Sequence, residues 1–178
     1  MARPVATTAL ARHYIRDLVY GANDGIITTF AVVAGVVGGA LSHTAILVVG
    51  AANLVADGLS MGVGNYLSIR AHESARRAER LPVEETRAWR HGLATLIAFV
   101  VAGALPLAPF LFPIARDDRF GWSVSVTIGA LFLVGAARGA VTADRWWKAG
   151  AEMLALGVVV AAAAFGAGAV ASRLLNNL

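Results

Sequence analysis

Two aspartates lie inside the first two long apolar stretches of this chain, where a charged side chain is unexpected. Asp24 lies in the stretch 18–41, and Asp57 lies in the stretch 44–69. In a membrane, a charged side chain costs from about 3 to over 10 kcal/mol depending on the reference state, so such residues usually serve a function. Asp24 and Asp57 are therefore the first candidates for a functional site.

Asp57 belongs to a row of four side chains at four-residue spacing, namely Asn53, Asp57, Met61 and Asn65. On an α-helix, this spacing places all four on one face. Carboxylate and amide oxygens suit hard or borderline divalent cations, while a thioether favours softer transition metals. The row predicts a path for a divalent metal, with Fe²⁺ first and Mn²⁺ close behind. The alternative is that Met61 only packs and the asparagines bond neighbouring helices.

Helical rise allows Asp24 and the row to lie at one depth. Asp24 is about 12 Å along a helix from Arg16, and Met61 is about 13 Å from Arg70. Asp57 lies one turn deeper than Met61. Asp24 and Met61 can therefore meet at one depth, and Asp57 lies near the middle of the membrane.

Five apolar stretches can position these residues, and each is near or above the roughly 20 residues that a membrane-spanning helix needs. They cover residues 18–41, 44–69, 92–112, 120–140 and 149–172. The chain is 58% hydrophobic and 15% charged, with a mean hydropathy of +0.68. The stretches are continuous and do not alternate with a period of two, which excludes a β-barrel. We predict an all-α integral membrane protein of five transmembrane helices in one domain.

Basic residues predict the orientation of this bundle. If the N-terminus is cytoplasmic, 12 of the 15 basic residues, from Arg3 onward, lie on the cytoplasmic side, and the other three are Arg116, Arg119 and Arg173. The positive-inside rule then places the C-terminus on the opposite side. Anionic lipid headgroups explain the pI near 10.3 without a nucleic-acid partner. We expect a bacterial inner membrane, with an organelle membrane as the alternative.

Residues for other chemistry are missing from the sequence. Cysteine is absent, which excludes a disulfide framework and thiolate metal ligands. No Ser/His/Asp set, HExxH motif, phosphate-binding loop or cofactor motif is present. We expect neither an enzyme nor a resident cofactor.

The segment 70–91 is the long polar connection, on the predicted cytoplasmic side. Pro82 is predicted to divide it into an extension of the second helix and a second, short amphipathic helix. A group of prolines is predicted to kink or end the third span, comprising Pro106, Pro109 and Pro113.

Four residues are candidates for entrance or supporting roles, and one of them is Asn65, the last member of the row. Asn23 adjoins Asp24, and Glu73 continues the face of the row toward the cytosol, where it can attract cations or simply be solvated. Glu152 can pair with Arg145 or Lys148 and be wholly structural. Pairs of glycines four residues apart also predict close helix contacts near the aspartates, comprising Gly21 with Gly25, Gly35 with Gly39, and Gly58 with Gly62.

Three stretches carry a resemblance to a known family. DLVYGANDGIITTFAVVAGVVGG, followed by NLVADGLSMGVGNYLS and AGAEMLALG, resembles the vacuolar iron transporter family of membrane metal/proton exchangers. The resemblance implies a homodimer with an ion path between the first two helices of both subunits. It implies export of Fe²⁺ or Mn²⁺ from the cytosol in exchange for protons. It also implies that Asp24 and Met61 are metal-binding pore residues.

The chain departs from that family in two ways. Plant and yeast members carry a Glu eight residues before the pore Met, where this chain has Asn53, and Asp57 can supply the carboxylate one turn along. Members with a cytoplasmic metal-binding domain have a longer insert than the segment 70–91. The chain therefore resembles the nodulin-like branch, which lacks that domain.

The sequence is consistent with two functions. In the preferred one, metal ions and protons compete for the same carboxylates of a transporter. In the other, the chain is a non-transporting membrane scaffold or assembly protein whose aspartates hydrogen-bond to neighbouring helices.

Overall fold

The computed structural model describes residues 5–115, 118–142 and 144–176, with side chains from residue 13 onward. In this part of the chain all regular structure is helical. The helices are α1 (Val5–Gly38), α2 (His43–Ala78), α3 (Ala88–Gly103), α4 (Ala108–Leu111), α5 (Arg119–Thr142) and α6 (Trp146–Leu175), with a 3₁₀ turn at Leu105–Leu107. Arg3 and Arg116, which enter the charge count, lie outside the described residues.

Five helical segments are long and apolar enough to cross a membrane, with α3, the 3₁₀ turn and α4 counted as one segment. The predicted fold class is therefore confirmed. The prolines act as expected, because α3 ends at Gly103 and the chain continues as the 3₁₀ turn and the four-residue α4. Pro106 and Pro109 lack the N–H that a continuous helix would need.

The segment after α2 differs from the prediction. α2 runs to Ala78, so the helical extension is confirmed, but the predicted second amphipathic helix is wrong because residues 79–87 contain no helix. Arg80 has a left-handed φ of 60°, and the N–H of Leu81 donates to the carbonyl of Arg76 (2.9 Å). These contacts close the C-terminus of α2, and Pro82 follows directly.

α1 is the central helix of the bundle. It packs most extensively on α3 and α6, while α2 packs mainly on α3. The larger apolar core cluster joins residues of these helices and of the segment after α3, comprising Phe30, Val33, Val36, Ile46, Leu54, Phe99, Leu107 and Phe110. α1 and α2 are thus both positioned by their contacts with α3.

Glycines allow these close contacts, as the sequence predicts. A Cβ added at Gly25 would collide with the backbone of Phe99, and one added at Gly62 would lie 2.9 Å from the carbonyl oxygen of Gly92. Both neighbours belong to α3 of the same chain. These two glycine faces are therefore already covered by α3 of the same chain.

Candidate metal-binding site

Asp24 of α1 and Asp57 of α2 lie within electrostatic range of each other. Each side chain is half-buried, and the charge of Asp57 acts on Asp24. Among the described residues, neither carboxylate accepts a hydrogen bond, and the Thr28 hydroxyl donates instead to the backbone carbonyl of Asp24 (2.7 Å). Two neighbouring carboxylates without donors need a cation or a proton to offset their repulsion.

The row on α2 lies along the edge of the surface that packs on α3. Asn53, Asp57, Met61 and Asn65 are all half-buried. On one side of the row, Gly58 is buried against α3, and on the other side Ala56 and Ser60 are exposed. Met61 also packs against the larger apolar core cluster. The row therefore faces neither the core nor the fully exposed side of α2.

Two asparagines near the aspartates carry buried amide atoms that have no hydrogen-bond partner among the described residues. These atoms are Oδ1 of Asn23 and Nδ2 of Asn53. An unsatisfied buried polar atom costs about 1–3 kcal/mol. A bound ion or its water can satisfy the Asn23 oxygen directly, and the Asn53 amide can turn to present its oxygen.

Asn65, the fourth member of the row, belongs to a different cluster. Its Nδ2 donates to Oδ1 of Asp17 (2.8 Å) and to Oγ1 of Thr95 (2.8 Å). Asp17 is only 2% exposed, and its Oδ2 lies 2.5 Å from Nδ1 of His91. Asn65 therefore supports the Asp17 cluster and does not face Asp57.

Glu73 is buried, with 4% exposure, so the interpretation of it as a solvated charge is wrong. Its carboxylate accepts the backbone N–H groups of Glu84 (3.2 Å) and Glu85 (2.9 Å). The reason is that α2 continues past residue 73 while the 79–87 loop folds back over it. Glu73 thus anchors this loop.

The side chain of Glu85 is oriented by the same loop. Its Oε1 accepts the N–H of Arg87 (2.6 Å), and its Oε2 faces His91 and His13. The Arg87 N–H, followed by the two histidines, holds the pKa of the Glu85 carboxyl below its usual range. Glu85 is therefore an anion fixed at this end of the bundle.

Glu152 pairs with a different partner from the two expected. Its Oε2 accepts from Nη2 of Arg138 on α5 (2.6 Å), whereas Arg145 and Lys148 were expected. The packing of α5 against α6 brings Arg138 within reach. The pair borders an open cleft of 440 Å³ that Asn23 also lines.

Sequence reasoning missed Asp17, His13 and the role of His91. Asp17 lies near the polar N-terminal end of the first apolar stretch, so it drew no attention as an intramembrane charge. A signal was present, because Asp17 and Asp24 are seven residues apart and share a helix face.

Comparison with known proteins gives a match over most of the chain. A family model described as "VIT family" matches residues 15–85 and 80–169. The two matched stretches meet in the loop between α2 and α3. Asp24, Asp57 and Met61 lie in the first stretch, and Glu152 lies in the second.

Two plant relatives match over most of the chain, and a third relative matches over less than half of it. Vacuolar iron transporter 1 of Eucalyptus grandis is 28% identical, covering 88% of this chain and 86% of the relative. Vacuolar iron transporter 1 of Arabidopsis thaliana is 26% identical, covering 87% and 85%. A vacuolar iron transporter of Toxoplasma gondii is 45% identical, covering 41% of this chain and 24% of its own length.

Proposed function

This chain belongs to the VIT family and is a membrane metal transporter, and we propose that it exports Fe²⁺ or Mn²⁺ from the cytosol in exchange for protons. The observation that supports the proposal is that Asp24 and Asp57, in two membrane-spanning helices, lie within electrostatic range of each other. Among the described residues no donor satisfies either carboxylate. Such a pair is suited to bind a divalent cation and, once the cation leaves, to take up protons.

The ligands proposed for the ion are Asp24, Asp57 and Met61, with Asn53 and Asn23 in support. One chain offers two carboxylates and one thioether, whereas Fe²⁺ and Mn²⁺ commonly take about six donors. A homodimer with its two-fold axis along α1 and α2 would supply four carboxylates and two thioethers. The exposed side of α2 next to the row, which includes Ala56 and Ser60, is the surface available for that contact.

The proposed orientation of the chain in the membrane follows from the distribution of charge. The contact of Asp17 with His91 places the N-terminal part of α1 and the start of α3 at one end of the bundle. The arginine-rich end of α2 and the 79–87 loop lie at the same end, which the positive-inside rule makes cytosolic. The relatives are named vacuolar and come from eukaryotes, so they support an organelle membrane and give no support to a bacterial inner membrane.

Metal flux into liposomes tests the proposal. Asp24→Asn and Asp57→Asn keep the shape of the side chain but remove its charge. Loss of a charged ligand costs at least about 2 kcal/mol, so each change should reduce Fe²⁺ flux by about thirtyfold or more. Flux is followed under reducing conditions with an Fe²⁺-sensitive dye inside the vesicles.

Asp118→Asn is the matched control, because Asp118 is exposed and lies outside the apolar part of the helices. It should transport like the unchanged protein. Full Fe²⁺ flux in both Asp24→Asn and Asp57→Asn would remove these residues from the path. An absence of flux in the correctly folded, unchanged protein would favour the scaffold instead.

A further inference from the structure

Three side chains with metal-binding atoms meet at the end of the bundle that carries the 79–87 loop. His13 comes from α1, Glu85 from the loop and His91 from the first turn of α3. One ligand atom of each lies within 4.8 Å of the other two. Residues far apart in the sequence thus converge on one point.

The spacing of these atoms suits a transition metal. Nε2 of His91 lies 3.1 Å from Oε2 of Glu85, and Nε2 of His13 lies 3.3 Å from the same oxygen. With metal–ligand bonds of about 2.1 Å, tetrahedral ligands are about 3.4 Å apart. Two imidazoles with one carboxylate form a donor set that suits Fe²⁺, Co²⁺ and Zn²⁺ better than Mg²⁺ or Ca²⁺.

His91 is held in the orientation that a metal ligand requires. Its Nδ1 bonds to Asp17, and Asp17 is in turn bonded by Asn65, so Nε2 is left to face Glu85 and His13. Metal-binding histidines usually donate their second ring N–H to a carboxylate in this way, which fixes the tautomer and the ring. The proposed pore does not use Asp17, and this arrangement gives Asp17 a role.

The carboxylate is held equally firmly, and the cluster is open on one side. Glu73 binds the N–H of Glu85, and the Arg87 N–H binds Oε1, which leaves Oε2 toward the histidines. The side chain of His13 is 50% exposed, whereas that of His91 is 8% exposed. An ion and a completing water can therefore enter from the His13 side.

We propose that His13, Glu85 and His91 bind a divalent transition-metal ion, with Asp17 as the positioning residue for His91. This site is distinct from the path at Asp24, which lies seven residues, about 10 Å, beyond Asp17 along α1. The inference goes beyond the proposed function, because the ion can bind whether or not the chain transports metal. The family match begins at residue 15 and so leaves out His13.

Co²⁺ binding to the purified full chain in detergent tests the site. The visible spectrum of Co²⁺ reports histidine coordination, and a titration gives the affinity. His13→Gln and Glu85→Gln should each weaken binding at least about tenfold, and Asp17→Asn should weaken it about 10- to 100-fold. His43→Gln is the control, because His43 is exposed at the first turn of α2 and lies near Phe110, away from the cluster.

The titration is repeated in the Asp24→Asn and Asp57→Asn variants. Co²⁺ binding at the cluster is thereby measured independently of the proposed transport path. Asp17 is buried and its change can prevent folding, but His13 and Glu85 lie nearer the surface and their variants should fold. Persistence of the histidine-type Co²⁺ spectrum and affinity in both His13→Gln and Glu85→Gln would overturn the proposal. So would a failure of the unchanged protein to bind Co²⁺.

Discussion

At the scale of single residues, two aspartates on α1 have opposite surroundings. Asp17 is buried, and its two oxygens are bonded by Asn65 and His91. Asp24 is half-buried, and no donor among the described residues bonds its carboxylate. A buried charge that is fully bonded has no capacity left for a ligand, whereas an unbonded one gains most from a cation. This difference separates a positioning residue from a proposed ligand on the same helix.

Replacement of Met61 tests whether its sulfur is a ligand of the transported ion. Met61→Leu keeps volume and apolarity but removes the thioether, so Fe²⁺ flux should fall more than Mn²⁺ or Ca²⁺ flux. A ligand worth about 1 kcal/mol corresponds to a loss of about fivefold. Parallel liposome assays with the three ions measure the effect.

Met153→Leu on α6 is the matched control for Met61, because Met153 is a buried methionine outside the proposed path. It should leave the order of ion preference unchanged. An equal loss for all three ions in Met61→Leu would make Met61 a packing residue.

The residues that the sequence identified share one property, which is polarity in apolar surroundings. Asp24 and Asp57 were identified in this way, and in the structure they lie within electrostatic range of each other. Glu73 was misread because its bonding partners lie in a loop that folds back on α2, and no local pattern reports that fold. Asp17 was missed because its partners, Asn65 and His91, lie on two other helices.

At the scale of helices, the position of α2 depends on a close crossing with α3. Gly62 and Gly92 face each other there, and a Cβ at Gly62 would also lie 3.0 Å from Cβ of Leu96. Neither backbone can move far, because α3 is also in contact with Gly25 of α1. The placement of Asp57 beside Asp24 therefore depends on small residues that are themselves not ligands.

Gly62→Ala should consequently destabilise the protein. The added methyl overpacks the crossing, and such changes typically cost about 1–3 kcal/mol. Gly64→Ala on the same helix meets no atom within 4 Å in the chain and should be neutral or stabilising by up to about 1 kcal/mol. Thermal unfolding in detergent, followed by circular dichroism, compares the two.

Gly166→Ala on α6 is a second control for the glycine test, since it also meets no atom within 4 Å. It should behave like Gly64→Ala. If Gly62→Ala melts at the same temperature as both controls, the crossing is looser than the structure indicates.

The helices could be predicted from the lengths of the apolar stretches, but which helices pack against each other could not. The five predicted spans correspond to the five observed segments, and the prolines correctly marked the end of α3. Glycine spacing predicted close contacts, yet it cannot say which helix occupies the face. In the structure, α3 of the same chain covers the faces of Gly25 and Gly62. α2 also extends to Ala78, past the end of the apolar stretch, because helix formation continues in the polar residues that follow.

At the scale of the whole molecule, the proposed path needs more ligands than one chain provides. The first two helices contact each other less than either contacts α3. A two-fold arrangement would bring a second Asp24 and Asp57 to the open side of this pair. The contact would use the exposed small residues of α2 beside the row, such as Ala56 and Ser60, since the glycine faces are covered. Native mass measurement in detergent should therefore give a dimer.

Dimerisation and proton exchange together predict how metal flux depends on a pH gradient. Protons on the acidic trans side displace the cation from the shared carboxylates, so an acidic vesicle interior should speed Fe²⁺ entry. With the voltage clamped at zero, the steady-state metal ratio should rise about tenfold per pH unit for each proton exchanged. The slope therefore gives the number of protons, and Asp24→Asn should abolish it. A monomer that still transports would remove the interface path, whereas a metal ratio indifferent to the pH gradient would remove the exchange of metal for protons.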